Sequence, residues 1–108
     1  MTSSPHFFPE ARLDLLEQAT YLAENASLEV ADRFLEAAEK TVEKLAEMPR
    51  VGRIWGGLRS ETRSNIRVWS VEGFPNILIF YRLDDSRVSV VRVLHSARDL
   101  PPLLEGYV

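Results

Sequence analysis

Two stretches of helical periodicity, separated by only three residues, constrain this chain most. Leu15, Ala19 and Leu22 recur at helical spacing with Leu16 and Ala23 alongside, while Arg12, Asp14, Glu17 and Gln18 fall mostly outside that stripe. Pro9 opens the first segment, where a missing N–H is no loss, although Phe8 before it offers no side-chain acceptor as a cap. Asn25-Ala26-Ser27 breaks the pattern, and Ser27 suits the N-cap of a second helix. There Val30, Phe34, Ala38, Val42, Leu45 and Met48 form a continuous stripe, Glu36 and Lys40 pair on the outside, and Pro49 ends the run. Helices joined by so short a link pack as an antiparallel hairpin, and its apolar face needs a partner.

The rest of the chain supplies one. Residues 50–64, with Gly52, Gly56 and Gly57, read as a loop with short extended pieces. Three β-rich runs follow, Ile66–Val71, Ile77–Leu83 and Val88–Leu94, separated by turn-rich residues 72–76 and 84–87. Breaks this short make antiparallel neighbours, so the runs predict a three-stranded meander, with residues 6–8 as a candidate edge strand. The proline-interrupted tail, residues 100–108, is expected to dock on the body. The expectation is one α+β domain over residues 1–108, an N-terminal helical hairpin packed on a small antiparallel sheet. Its strands are apolar on both faces: Ile77, Ile79, Tyr81 and Leu83 point one way, Leu78, Phe80 and Arg82 the other. Either the loop and tail cover the second face, or a partner lies on it.

An apolar fraction of 45% and a charged fraction of 27% are those of a soluble globular domain, and no apolar run is long enough to cross a bilayer. The N-terminus lacks the basic and apolar regions of a secretory signal, and there are no cysteines, so the expected compartment is a reducing cytoplasm. The net charge of −3 divides unevenly. Residues 1–48 hold four basic and ten acidic side chains, whereas residues 49–108 hold nine basic, all arginine, and six acidic. Arginine's planar fork suits carboxylate or phosphate, which makes the second half the expected binding surface. An alternative is that these arginines merely flank strands on a solvated face.

Candidate chemistry is sparse. His6 and His95 are the only histidines and no carboxylates cluster with them, so no metal site is expected. His95 at a strand end reads either as a hydrogen-bonding structural residue or as a general acid–base. The glycines lack the spacing of a phosphate loop, and no serine triad is suggested. No cofactor is expected. Asp99 reads as the cap of a terminal turn or an arginine partner. Arg59, Arg63, Arg67, Arg82, Arg92 and Arg98 form a basic set, of which Arg67, Arg82 and Arg92 lie on three adjacent predicted strands. Convergence of some of them on one face would suit RNA phosphates or an acidic protein surface, and the net acidity of the chain argues against gripping a polynucleotide.

Pro49-Arg-Val-Gly-Arg53, Gly73-Phe-Pro-Asn76 before Ile79-Phe-Tyr-Arg82, and Arg92-Val-Leu-His-Ser-Ala-Arg-Asp99 occur in an order and spacing that resemble the RelE/ParE toxin superfamily of bacterial type II toxin–antitoxin systems. With the helical hairpin they cover about residues 9–104. The C-terminal motif is more similar to the ParE branch, whose activity is poisoning of DNA gyrase. The RelE branch comprises ribosome-dependent mRNA endoribonucleases that use basic residues and often a C-terminal tyrosine. Here Leu78 stands where many of those nucleases carry arginine, Leu103-Leu104 occupies the region of their tyrosine, and Tyr107 is only a loose substitute. Phe8 replaces the small polar cap often found before the first helix's proline.

The resemblance implies a growth-arresting toxin that inhibits gyrase by direct binding and is neutralised by a cognate ParD-like antitoxin, with no membrane partner. Its implied contact residues are Arg67, Trp69, Tyr81, Arg82, Arg92, His95 and Arg98, Trp69 and Tyr81 serving as packing or anchoring neighbours. The alternatives are a nuclease acting on ribosome-bound mRNA through Arg67, His95 and Arg98, or a non-toxic relative that only binds antitoxin. Family members are wrapped by an extended antitoxin segment, which would account for a two-sided apolar sheet.

Overall fold

Pro9 at the first helical position starts α1 (Pro9–Asn25), and Phe8, extended at φ −66° and ψ 148°, precedes it without a side-chain cap. Ser27 does cap α2 (Leu28–Glu47), accepting the Val30 N–H at 3.1 Å. The computed structural model describes residues 4–56 and 65–107. Before α1 comes β1 (His6–Phe7). After α2 come β2 (Arg53–Ile54), β3 (Arg67–Val71), β4 (Phe74–Asp84) and β5 (Arg87–His95), then a short α3 (Leu100–Leu104) and a 3₁₀ turn, Glu105–Tyr107. None of the helices is long and apolar enough to cross a membrane, among the described residues.

The α+β fold is the expected one, with a larger sheet. Five strands stand in the order β1-β5-β4-β3-β2. β3, β4 and β5 are the predicted antiparallel meander, each within three residues of the predicted bounds. β1 is an edge strand, but it runs parallel to β5, so the sheet is mixed. β2 adds the other edge, antiparallel to β3. Asp85 and Ser86 join β4 to β5 with φ of 52° and 67°, and two consecutive left-handed residues give the chain the twist a tight hairpin needs.

The hairpin covers one face of the sheet. Phe34, Ala38, Val42 and Leu45 of α2 and Ala11 and Ala19 of α1 pack on Ile77, Ile79, Tyr81, Val88, Val90 and Val93. Met48, expected on the α2 stripe, follows the helix as its C-cap and is exposed. Leu16, expected beside the α1 stripe, also points outward. The second face is covered by the chain itself: Trp55 and the tail's Leu104 bury Ile66, Val68, Phe80, Val91 and Leu94, with Leu100, Leu103 and Tyr107 around them. That overturns the alternative in which a partner covers the face, and the tail docks as expected. A bulge allows β5 to serve both faces. Tyr81 pairs with Val90 and Phe80 with Arg92, leaving Val91 as the extra residue. Val88 and Val90 before it, and Val93 after it, therefore all face the helices.

Two polar contacts lock the layers. β1 pairs with β5 only as far as Val90, whose carbonyl takes the Phe8 N–H. Beyond that point α1 lies against β5, and Asp14 accepts the Val93 N–H at 2.9 Å and both Nε and Nη2 of Arg92 at 2.7 and 2.9 Å. Asp14 is 5% exposed, which corrects its expected place outside the apolar stripe. The second contact explains Pro49-Arg-Val-Gly-Arg53. The fully buried Tyr81 hydroxyl donates to the Pro49 carbonyl at 2.7 Å and accepts the Gly52 N–H at 3.0 Å. A Cβ at Gly52 would overlap that hydroxyl and lie 2.9 Å from the ring's Cε1.

Removing either member of the Asp14–Arg92 pair leaves the other charge buried and unmatched. Asp14→Ala and Arg92→Ala should each cost about 3 kcal/mol, and the double variant clearly less than their sum, read by urea denaturation. Gly52→Ala should cost about 2 kcal/mol in the same assay through overpacking against Tyr81.

Candidate functional site

The arginines of the second half do not converge. Arg67, on β3 opposite Tyr81, donates from Nη1 to the Gly52 carbonyl at 2.7 Å and to the Arg50 carbonyl at 3.4 Å. Arg82, on β4, forks onto Asp84 at 2.9 and 3.0 Å, donates to the Tyr107 carbonyl at 3.3 Å and lies over the Phe8 ring at 5.0 Å. Arg92 holds Asp14 at the α1 edge of β5. Each guanidinium therefore binds its own chain. Arg59 and Arg63 lie outside the described residues.

Electrostatics follow from these contacts. The hydrogen bond to Asp14 raises the Arg92 pKa above its ordinary value against the opposing effect of burial. Burial alone would lift Asp84, but hydrogen bonds from Arg82 and Ser89 and the positive charge of Arg82 hold its carboxyl below the usual range. Stability from the Arg82–Asp84 contact is thus present above the ordinary carboxylate pKa and is lost as acid protonates Asp84. Burial pushes the Tyr81 phenol up, despite the Gly52 N–H and the nearby Arg67 charge. Burial, then Glu10, also raises Tyr107, which meets Arg92 and packs edge-on against Phe8. Trp69 is half-buried, with the Lys44 ammonium 5.6 Å from the ring centroid.

His95 and Arg98 differ from the rest. β5 ends at His95, whose Nδ1 accepts the Ala97 N–H at 3.0 Å, and Arg98 donates its backbone N–H to the His95 carbonyl at 3.0 Å. This tight turn leaves His95 Nε2 open and extends the Arg98 side chain into solvent with no partner among the described residues. Together with Ala97 they form one wall of a groove of about 540 Å³ whose other wall is Glu17, Gln18 and Tyr21 of α1. Asp99 takes the N-cap position of α3 without a hydrogen bond from its carboxylate.

The groove can bind an anionic or hydrogen-bonding group through Arg98, His95 and Gln18, with Tyr21 as an apolar wall. It contains only part of the trio considered for nuclease chemistry. β4 separates β3 from β5, and the Arg67–Tyr81–Val90 row stands four residues from the Ile77–His95 row. Arg67 and His95 are thus roughly 13 Å apart along the strands and about 10 Å across them, too far to act on one phosphate. Among the described residues no three histidine, aspartate or glutamate side chains gather in a metal-holding group. The α1 wall escaped the sequence reading, which treated Glu17 and Gln18 as solvated surface. A signal existed in Asp14: an acid bordering an apolar helical stripe, with a lone arginine inside an apolar β run, marks a buried pair.

A family model for the ParE toxin of the type II toxin–antitoxin system parDE matches residues 6–100. Among solved structures, a chain of the chromosomal ParDE toxin–antitoxin system from P. aeruginosa superposes with a TM-score of 0.69, covering 87% of this chain and 96% of that one at 17% identity. At that identity the likeness establishes a shared fold. No curated protein matches the sequence. With nearly the whole domain inside the family match, the chain belongs to the ParE toxin family of type II toxin–antitoxin systems.

Proposed function

We propose that this ParE-family toxin arrests growth in the bacterial cytoplasm by binding DNA gyrase rather than by chemistry of its own, and that a cognate ParD-like antitoxin neutralises it. The observation that carries this reading is the state of the arginines. A phosphoryl-transfer site needs several cations and an acid–base group within reach of one phosphate. Arg67, Arg82 and Arg92 are instead bound to their own backbone and carboxylates, and His95 and Arg98 share a groove that Arg67 does not reach. A binding inhibitor requires only a stable surface with a few free polar groups. The turn carrying His95 and Arg98 supplies one, supported by the rigid end of β5 and facing α1.

Purified protein added to gyrase, relaxed plasmid and ATP should block supercoiling. In cells induced without antitoxin, DNA synthesis should fall before protein synthesis. Arg98→Ala should weaken inhibition by about tenfold or more while thermal unfolding stays unchanged, since its side chain is exposed. Unimpaired supercoiling with protein synthesis failing first would replace this reading with ribosome-dependent mRNA cleavage. Normal growth with antitoxin binding retained would identify a non-toxic relative.

A further inference from the structure

Asp14 turns one face of α1 toward β5, and that face runs on past the point where the strand ends. Glu17, Gln18 and Tyr21 follow Asp14 at i+3, i+4 and i+7, so they stand on the same side of the helix. Asp14 itself holds the Val93 N–H, two residues before β5 stops at His95. The continuing helix face therefore meets the turn from His95 to Arg98 instead of a strand, and the two walls form the groove of about 540 Å³. That volume lies within the range of small-molecule sites.

The groove is bipolar. Glu17 is exposed on the α1 wall and Arg98 on the facing wall, and neither makes an ion pair among the described residues. Because His95 Nδ1 accepts the Ala97 N–H, the neutral imidazole carries its proton on Nε2. Arg98 and His95 are thus both donors, which is what an oxyanion requires. On the α1 wall Glu17 supplies two acceptor oxygens and Gln18, beside it, an amide N–H. Tyr21, one turn beyond Glu17, is 61% exposed and presents an aromatic ring. A matching ligand carries negative charge at one end, adjacent N–H donors at the other, and a flat apolar body between. An acidic peptide would be repelled by Glu17 and a basic one by Arg98. A guanine nucleotide has all three features. Its phosphate suits Arg98 and His95, its base stacks on an aromatic ring, and its neighbouring N1–H and N2–H groups suit one carboxylate, with O6 beside them for the Gln18 amide. Adenine presents an acceptor at N1 where guanine presents a donor, so it cannot satisfy both oxygens of Glu17. We infer that the groove between α1 and the turn from His95 to Arg98 binds a free guanine nucleotide. A polynucleotide needs several cations along its backbone, and the sheet cations Arg82 and Arg92 are held by Asp84 and Asp14. The nucleotide occupies the surface that the proposed target would contact, although its binding is independent of the target's identity.

The test is an amide chemical-shift titration of the purified chain, without gyrase, using guanosine 5′-monophosphate (GMP). Shifts should saturate and centre on residues 17–21 and 95–98, with adenosine 5′-monophosphate binding about tenfold more weakly or worse. Tyr21→Ala should weaken GMP binding by about tenfold, whereas Tyr21→Phe should keep it. Arg98→Ala should make GMP bind no tighter than guanosine, and Glu17→Gln should remove the preference for GMP over its adenine counterpart. The side chains of Glu17, Tyr21 and Arg98 are exposed, and thermal unfolding checks that each variant keeps the fold. No saturable shift at millimolar GMP, shifts centred on another surface, or equal binding of both nucleotides by the wild-type chain would overturn the site. Tighter capture of a short single-stranded oligonucleotide carrying the same guanine would overturn the free nucleotide as its ligand. Gyrase inhibition is read in a separate assay, so failure of the proposed target and failure of this site are told apart.

Discussion

The carboxylate of Asp14 is the contact on which the arrangement of this molecule rests. A sheet edge that meets a helix presents N–H groups that neither element satisfies. Here β1 runs out after Phe8, and Asp14 takes over at Val93 in place of the next strand residue while anchoring Arg92. A charge so far removed from water is tolerated only with all its partners present. The same contact fixes the rotation of α1 about its axis. With Asp14 turned toward β5, Ala11 and Ala19 face the core and Leu13 and Leu16 are left outside. One buried acid thus decides both what α1 contributes to the interior and what it offers to other molecules.

Much of the architecture was legible because it rests on local signals. Ser27 capped the second helix, the short link through Ala26 and Ser27 forced a hairpin, and short breaks between β runs forced antiparallel pairing. The edge strands were harder. β2 is two residues long and β1 pairs with a strand some eighty positions away, so neither leaves a periodic trace. The turn before β4 was drawn too long because Pro75 and Asn76 look like loop residues, although β4 includes them once Gly73 turns the chain at φ +84°. Asp14 was misplaced for a general reason. Periodicity sorts residues by polarity, and a buried ion pair is polar on the core side.

The candidate site was legible only in outline. His95 and Arg98 were visible as polar residues beyond an apolar strand, and the structure holds them together in a turn closed by the Ala97 N–H. The other arginines could not be sorted by sequence, because β-strand parity cannot reveal which carbonyl or carboxylate will be near. Arg67 reaches the carbonyl of Gly52, and Arg82 reaches the last turn of the tail. In a domain this small, long planar cations link the segments as hydrogen-bonded struts. A count of arginines therefore overstates the surface available for binding, and the sign of the net charge is the better guide to what meets the solvent.

The extra residue at Val91 has a consequence for how such a protein can change. In a regular ladder, the side of the sheet a residue occupies follows from counting along the strand, and every later position inherits the count. Here the count is reset in the middle of β5, so the valines near the β4 turn and the residues leading to His95 hold their addresses independently. Losing one codon at Val91 would leave the pairs Tyr81–Val90, Phe80–Arg92 and Ile79–Val93 in place and the ladder regular, and would remove only the side chain that Val91 gives to the second core. The extra residue is therefore held by the space its side chain fills among Trp55, Phe80 and Leu104, while a residue lost anywhere else in the strand would shift the register around it.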